Sequence, residues 1–370
     1  MARYGGVGGV GGVGGVGGVG GVGGVGGVGS TGLGDFLGAG AVGPYDPLTA
    51  IGLQTTAEGI AHVAGSGDAP QPTHLPANSK KNMKRSADWV RASLYLTDFI
   101  KDLDISVSGD DTTLGFETST LVKITRPTEA LMAAQAKWVR DYADLRADRG
   151  AEIQSQLGFP TEYFAMILAL HPAQSRHTLE LITATQVLSA HVAMMVKHAL
   201  AIRRPDQVDT RILPMIATPG HGAFPSAHAT EAHSVLTVLL ALMEAWASHA
   251  DNDDRGKLLR KLAERITVNR TVAGVHYPMD SWAGAALGQA IGGAILGRCG
   301  VAHTAKQITY APTDTDFFGD ELDRLIKGET VAADYGITVG AAVQSTQSDV
   351  FTWLWDKAAK ESHTHSDPGS

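Results

Sequence analysis

Residues 269–280 read Asn269-Arg270-Thr271-Val272-Ala273-Gly274-Val275-His276-Tyr277-Pro278-Met279-Asp280, and this dozen decides how the chain folds. Apolar residues at helical spacing run into it from Arg255 and out of it to Gly297, while Gly274 and Pro278 forbid one continuous helix. The stretch is therefore a break between two helices, Arg255–Val272 and Asp280–Gly297. Arg270 and His276 are six apart, about 120° out of phase on a straight helix, so the break is what lets both meet one ligand. Asp280, four beyond His276, has the spacing for a carboxylate to accept from one ring nitrogen and leave the other free. Read locally, the same pair is a surface hydrogen bond, and the stretch alone does not choose between the two.

Working upstream, residues 251–256 form a turn after an apolar helix over Ser226–Ser248, which opens on Pro225-Ser226-Ala227-His228. A helix N-terminus presents free N–H groups and a positive dipole end, so this opening suits an anion, with the Ser226 hydroxyl as a further donor. Ser226 is equally a good N-cap. Before it lies a loop, Pro205–Pro225, longer than ordinary connections and thus a candidate functional loop. A long helix, about His177 to Ile202, ends at Arg203-Arg204-Pro205. Lys197 and Arg204 are seven apart on that helix and return to nearly the same face, so two cations share one stripe; such pairs are most often solvated surface.

Further out, Pro127-Thr128-Glu129 opens a helix toward Leu157, stopped by Gly158 and Pro160, and a short helix runs from Glu162 to His171. Ser86–Asp102 has helical periodicity, and Ile105–Ser119 reads as a polar loop with short extended pieces. After Cys299 come helical pieces at Glu321–Lys327 and Ser348–Lys360, then a polar tail containing His363 and His365. Gly5–Val28 is a Gly-Gly-Val triplet repeated eight times, with too little apolar area to offset the ordering entropy of glycine. The expected fold class is all-α, a helical bundle. The expected organisation is a Gly-rich, largely disordered tail over 1–80, a helical domain over 81–300, and an appendage over 301–370 packing on it.

Of 370 residues, 44% are hydrophobic and 18% charged, and the formal net charge is −8. That balance argues against a broad basic surface, so no nucleic-acid partner is expected and any anion site must be local. One cysteine, Cys299, excludes an intrachain disulfide framework. The N-terminus lacks the apolar run and cleavage site of a secretory signal, which points to a cytoplasmic location. The apolar windows Ser234–Ala247 and Trp282–Leu296 are short for a span of about twenty residues, so no transmembrane span is expected. Homo-oligomerisation stays open.

Taken together, the three segments have a joint pattern: Lys197, six residues, Arg204-Pro205; Pro225-Ser226-Ala227-His228; Arg270, five residues, His276, three residues, Asp280. The pattern resembles the three-part signature of the type 2 phosphatidic acid phosphatase and vanadium haloperoxidase superfamily. The resemblance implies that Lys197, Arg204 and Arg270 bind a tetrahedral oxyanion, phosphate or vanadate, helped by the Ser226 hydroxyl and the Ala227 N–H. It implies that His276 is the nucleophile of a phosphatase or the vanadium ligand of a peroxidase, and His228 the acid/base group. Ala227 stands where the family usually has Gly, and Asn269 where it usually has Ser. His221 sits where bromide-using vanadium enzymes carry His, so it either tunes the cofactor or braces its loop.

The first expectation is a vanadium-dependent haloperoxidase that binds vanadate through His276 and oxidises halide with peroxide. The alternative is a soluble phosphomonoester hydrolase acting through a phosphohistidine at His276, without cofactor. Either way the partner is a small-molecule substrate. A helical scaffold that merely binds anions is the reading from another class.

Overall fold

The computed structural model describes residues 47–63, 67, 71–246, 251–302 and 305–361. The Gly-Gly-Val tract and His363 and His365 lie outside the described residues. In chain order the elements are α1 (Pro47–Ala61), a 3-10 helix (Lys80–Arg85), α2 (Asp88–Ile100), β1 (Leu103–Ser108), β2 (Asp111–Phe116) and β3 (Ser119–Thr125). Then come α3 (Glu129–Asp141), a 3-10 helix (Tyr142–Leu145), α4 (Arg146–Ser155), α5 (Thr161–Leu168), α6 (Arg176–Leu200) and the single turn α7 (Pro205–Val208). The remainder is α8 (Ala227–Trp246), α9 (Asn252–Val272), α10 (Pro278–Arg298), β4 (Ala305–Tyr310), α11 (Gly319–Lys327), β5 (Ile337–Val343) and α12 (Asp349–Ala358). Within the stretch expected to be a tail, Pro47–Ala61 is thus helical, with its apolar side chains exposed.

The all-α expectation is wrong. Five strands form one mixed sheet in the order β1-β2-β3-β4-β5, antiparallel except for the parallel β3–β4 pair. The segment expected to be a polar loop supplies β1 and β2. In β2, Thr112, Leu114 and Phe116 alternate inward while their neighbours are only partly covered, the period-2 pattern of a half-buried strand. In β1 and β5 most side chains stay exposed, because both are edge strands with polar or small residues, so hydrophobic periodicity had little to report. The sheet's inner face packs on α10 and α6, where Phe116 meets Phe99 of α2 with ring centroids 4.9 Å apart.

The core of the molecule is α6, α8 and α10, of which α8 and α10 are buried along nearly their whole length and α6 along one side. The expected break at residues 269–280 is present: α9 stops at Val272, Gly274 takes a φ of +86°, and Pro278 opens α10. The expected single stripe of Lys197 and Arg204 is not formed. Ala201 takes a left-handed φ of 51° and ends α6, and Arg204 is the N-cap of α7. Among the described residues one helical stretch, Arg176–Val208, is long and apolar enough to cross a membrane by length and composition, and 67% of its apolar window is buried inside the protein.

The pair α8–α10 makes the most extensive helix contact, and glycines on α10 make it possible. Gly284, Gly288 and Gly292 recur one turn apart and face α8. A Cβ at Gly284 would lie 2.8 Å from Ala229 Cβ, one at Gly288 3.0 Å from His233 Cβ, and one at Gly292 2.7 Å from Thr237 Cβ. Bare backbone there lets the helices approach until Ser226 N donates to Asp280 O at 2.9 Å. That bond ties the N-terminal turns of the two helices that carry the site. The far end of the chain closes on the same core, where the Glu361 carboxylate accepts from the His177 and Thr178 amides, both at 2.8 Å, at the start of α6.

Candidate anion-binding active site

The site lies where the N-terminal turns of α8 and α10, the α9–α10 break and the α6–α7 link converge. His276 is on the break, 3% exposed, and its Nδ1 lies 2.8 Å from Asp280 Oδ2. The same oxygen accepts from the Tyr277 amide at 3.0 Å. One carboxylate oxygen therefore caps α10 and orients the ring, and the pair is buried rather than the surface hydrogen bond of the local reading. His276 Nε2 lies 2.9 Å from Arg204 NH1. A guanidinium can only donate, so Nε2 carries the lone pair and Nδ1 the proton given to Asp280. Burial, then Arg204 and Lys197, push the imidazole well below its ordinary pKa, which keeps it neutral and nucleophilic. Burial pushes the Asp280 carboxyl up, opposed by Lys197, the Tyr277 amide and Arg204.

Arg204 is 1% exposed and held from several sides: NH1 donates to Val275 O at 2.7 Å, Nε to His221 O at 3.0 Å, and NH2 reaches His221 Nδ1 at 3.1 Å. Burial, followed by Lys197 and Arg204, brings His221 down to about 4. It is therefore neutral, and its Nδ1 stands between Arg204 NH2, which can only donate, and Gly222 O at 3.2 Å, which can only accept. His221 both braces the loop and lines the cavity. Arg270 donates to Gln156 O (3.3 Å), Gln156 Oε1 (3.2 Å) and Ile153 O (3.4 Å), yet its buried Nε has no partner. Burial lowers both arginines to about 10, so both remain cations at neutral pH.

His228, on the first turn of α8, donates Nε2–H to Gln156 O at 2.8 Å. A carbonyl can only accept, so the neutral ring has its lone pair on Nδ1. Burial and Arg270 hold its pKa at about 3. Ser226 is the N-cap, its hydroxyl accepting from Ala229 N at 3.4 Å. The Ala227 and His228 amides, first in the helix, have no intrahelical acceptor and form a small anion-binding end.

Six of the residues singled out from sequence share one wall. Arg204, His221, His228, Arg270 and His276, with Ala227 beside them, line a cavity of about 10 Å³ closed by Ile216 and Pro219. That is room for about one water, so a tetrahedral anion enters only when the wall gives way. Lys197 and Ser226 do not line it. Lys197 is buried with Nζ on the carbonyls of Gly222 and Ala223, both at 2.8 Å, behind the loop that carries His221. Burial and Arg204 hold the Lys197 ammonium well below its ordinary pKa, countered by Asp280 and Glu231. Among the described residues no group of three or more His, Cys, Asp or Glu side chains is placed to hold a metal ion.

Sequence reasoning missed Gln156, Glu152 and Arg146. Gln156 is fully buried and touches both His228 and Arg270. Arg146 joins the long loop to the break by donating to Val272 O at 2.9 Å and to Leu213 O at 2.5 Å. All three lie on α4 or at its end, far from the motif in sequence, and nothing in their local text marks them.

Residues 178–299 match the PAP2 superfamily. No curated protein matches the chain. Among solved structures the chain is similar to the crystal structure of a transmembrane PAP2-type phosphatidylglycerolphosphate phosphatase from Bacillus subtilis. The identity is 18%, the TM-score 0.36, and the match covers 44% of this chain and 83% of that one.

Proposed function

From the premise that residues 178–299 are a PAP2-superfamily segment, we propose that the chain is a phosphomonoester hydrolase working through a phosphohistidine at His276. One observation carries the reading: His276 is held by Asp280 in the tautomer that presents Nε2 as a lone pair, beside Arg204, in a buried anion-binding corner. The orphaned Nε of Arg270 and the free amides of α8 point to an absent acceptor of the same kind.

When the ester enters, its non-bridging oxygens take the N–H groups of Arg204, Arg270 and Ala227, and Arg204 releases Nε2. The Nε2 lone pair then forms the N–P bond as the P–O bond to the alcohol breaks. The imidazolium that develops is stabilised by Asp280. The ester enters as its monoanion and passes its proton to the free Nδ1 of His228, whose pKa the bound dianion raises from the depressed resting value, and His228 then gives that proton to the leaving oxygen. In the second step His228 Nδ1 takes a proton from water, the hydroxide oxygen bonds to phosphorus, and the P–Nε2 bond breaks. Arg204, Arg270 and the helix end offset the charge of the trigonal transition state throughout. Lys197 acts from behind, fixing the Gly222 and Ala223 carbonyls and adding positive field.

A second reading uses the same corner for vanadate. His276, Arg204, Arg270 and the Ala227 amide fit it as they fit phosphate, and His221, bonded to Arg204 on the cavity wall, is the residue that favours this reading. Vanadate, when bound, would supply a Lewis-acidic centre for activating peroxide. One assay separates the two: hydrolysis of p-nitrophenyl phosphate with and without orthovanadate, against bromide oxidation by peroxide in the vanadate-loaded protein, each repeated with His276→Ala. Ester turnover that vanadate inhibits and His276→Ala abolishes supports the hydrolase. Halogenation without ester turnover would sink it.

A further inference from the structure

Gln156 uses all its hydrogen-bonding groups inside the site. Its amide N–H bonds back to Glu152 O at 3.1 Å, closing α4. Its main-chain oxygen receives His228 Nε2 at 2.8 Å and Arg270 NH1 at 3.3 Å. Its side-chain Oε1 receives Asn269 Nδ2 at 2.9 Å and Arg270 NH2 at 3.2 Å, and its Nε2 donates to Glu152 Oε1 at 3.2 Å. Glu152 is in turn fixed by Arg265 Nε at 2.8 Å and Asn269 Nδ2 at 3.0 Å. The side chain is fully buried and has one orientation that satisfies this set: swapping its O and N would face two donors with a third.

We propose that Gln156 is a positioning residue that holds Arg270 by its terminal nitrogens without neutralising it, and by the same contact couples Arg270 to His228. The inference rests on the hydrolase reading of this site. An acceptor is required, since a guanidinium left unpaired in a closed interior is costly. A carboxylate in that place would meet the geometry equally well, but it would cancel the charge the anion needs. The amide oxygen supplies the lone pair and leaves the net charge of Arg270 intact, with Nε–H unspent. The nearest carboxylate, Glu152, stands one contact back, behind the Gln156 amide nitrogen. Neutral acceptor first and carboxylate second is the order that keeps a cation both ordered and available.

The test uses the full chain and inorganic phosphate as probe, by titration calorimetry at pH 8. Gln156→Glu keeps an acceptor for Arg270 but adds a charge and gives up the donor to Glu152, so its phosphate affinity falls at least about tenfold. Gln156→Glu combined with Glu152→Gln restores that donor–acceptor pair and leaves the carboxylate on Arg270, so the loss persists. A residue that only fills space, or a charge that merely repels Glu152, would regain wild-type affinity in the double variant. Gln156→Met keeps length without an acceptor or a charge, and serves if Gln156→Glu does not fold. It raises KM for p-nitrophenyl phosphate about tenfold with kcat within about threefold. Wild-type affinity in Gln156→Glu or in the double variant, or unchanged KM in a folded Gln156→Met, overturns the inference and leaves the hydrolase reading standing. Failure of wild type itself to bind phosphate or orthovanadate overturns both.

Discussion

Replacing Gly284 by alanine adds one methyl at a close approach between α8 and α10, 2.4 Å from Ser226 O. Its carbon would lie 2.8 Å from Ala229 Cβ and 3.2 Å from the Ser226 carbonyl carbon. Carbon atoms settle at about 3.5–4.0 Å, so the helices must part by roughly 1 Å at this level. Two costs follow. Overpacking of a closed core destabilises by about 1–3 kcal/mol. The larger effect is on chemistry, because α8 carries His228 and α10 carries Asp280, and Ser226 N–Asp280 O joins them across this gap at 2.9 Å. A displacement of about 1 Å between positioned groups costs on the order of a hundredfold in rate, so kcat/KM for p-nitrophenyl phosphate should fall about that far. Gly292→Ala is the control. Its methyl would also clash, 2.7 Å from Thr237 Cβ and 2.9 Å from Ser234 O against 2.4 Å from Ser226 O at Gly284, but it lies about 12 Å farther along the helix. It should lose comparable thermal stability and less than about tenfold in rate. Steady-state kinetics with thermal melts on both variants decides the matter. Equal rates in the two, after folding is checked by circular dichroism, would refute the claim that α8–α10 spacing sets the site.

Three other outcomes are expected. Asp280→Asn keeps the shape beside His276 but cannot stabilise the imidazolium and lets Nδ1 accept instead, so kcat should drop by about three orders of magnitude; phosphorus NMR after rapid quench should show no phosphohistidine, and a drop under tenfold would disprove the orienting role. His233 is buried with both ring nitrogens unpartnered against the Phe317 ring, so His233→Leu should raise stability by about 1 kcal/mol, and a lower melting temperature contradicts it. Burial and neighbouring cations hold His221 at about 4 and His228 at about 3, both below the unfolded value. Between the folded and unfolded values the unfolded chain binds more protons, so stability present above about pH 6.5 is lost as pH falls through that window; melts from pH 7.5 to 4 check this, and a flat profile would count against it.

How much of this was legible in the text varies by element. The helices α6, α8, α9 and α10 could be bounded to within a few residues because Pro205, Ser226, Gly274 and Pro278 punctuate long periodic runs. The break at 269–280 could be derived from residue types alone, whereas the stretch by itself left open whether His276 and Asp280 form a surface pair or the buried one that the structure has. The sheet could not. A strand such as Ile337–Val343, with small side chains and an exposed face, acquires its state from pairing with β4 rather than from its own pattern. Lys197 and Arg204 illustrate a different limit: helical spacing put them on one stripe, whereas the left-handed turn at Ala201 brings Arg204 to the cavity and leaves Lys197 behind the loop. Gln156 was invisible because its role depends on which residues of α8 and α9 come to rest against it.

The parallel pairing of β3 with β4 places Ile124 beside Tyr310, with α3 to α10 threaded between them. In folding terms this is a long-range contact whose loop must close late. On the ribosome, every residue of the anion corner is made before the strand that completes the sheet under α10. The nascent helices therefore wait with the sheet-facing side of α10 uncovered, an interval in which aggregation competes with folding. A chain cut between α10 and β4 would hold the entire motif and still lack the surface on which its most buried helix comes to rest.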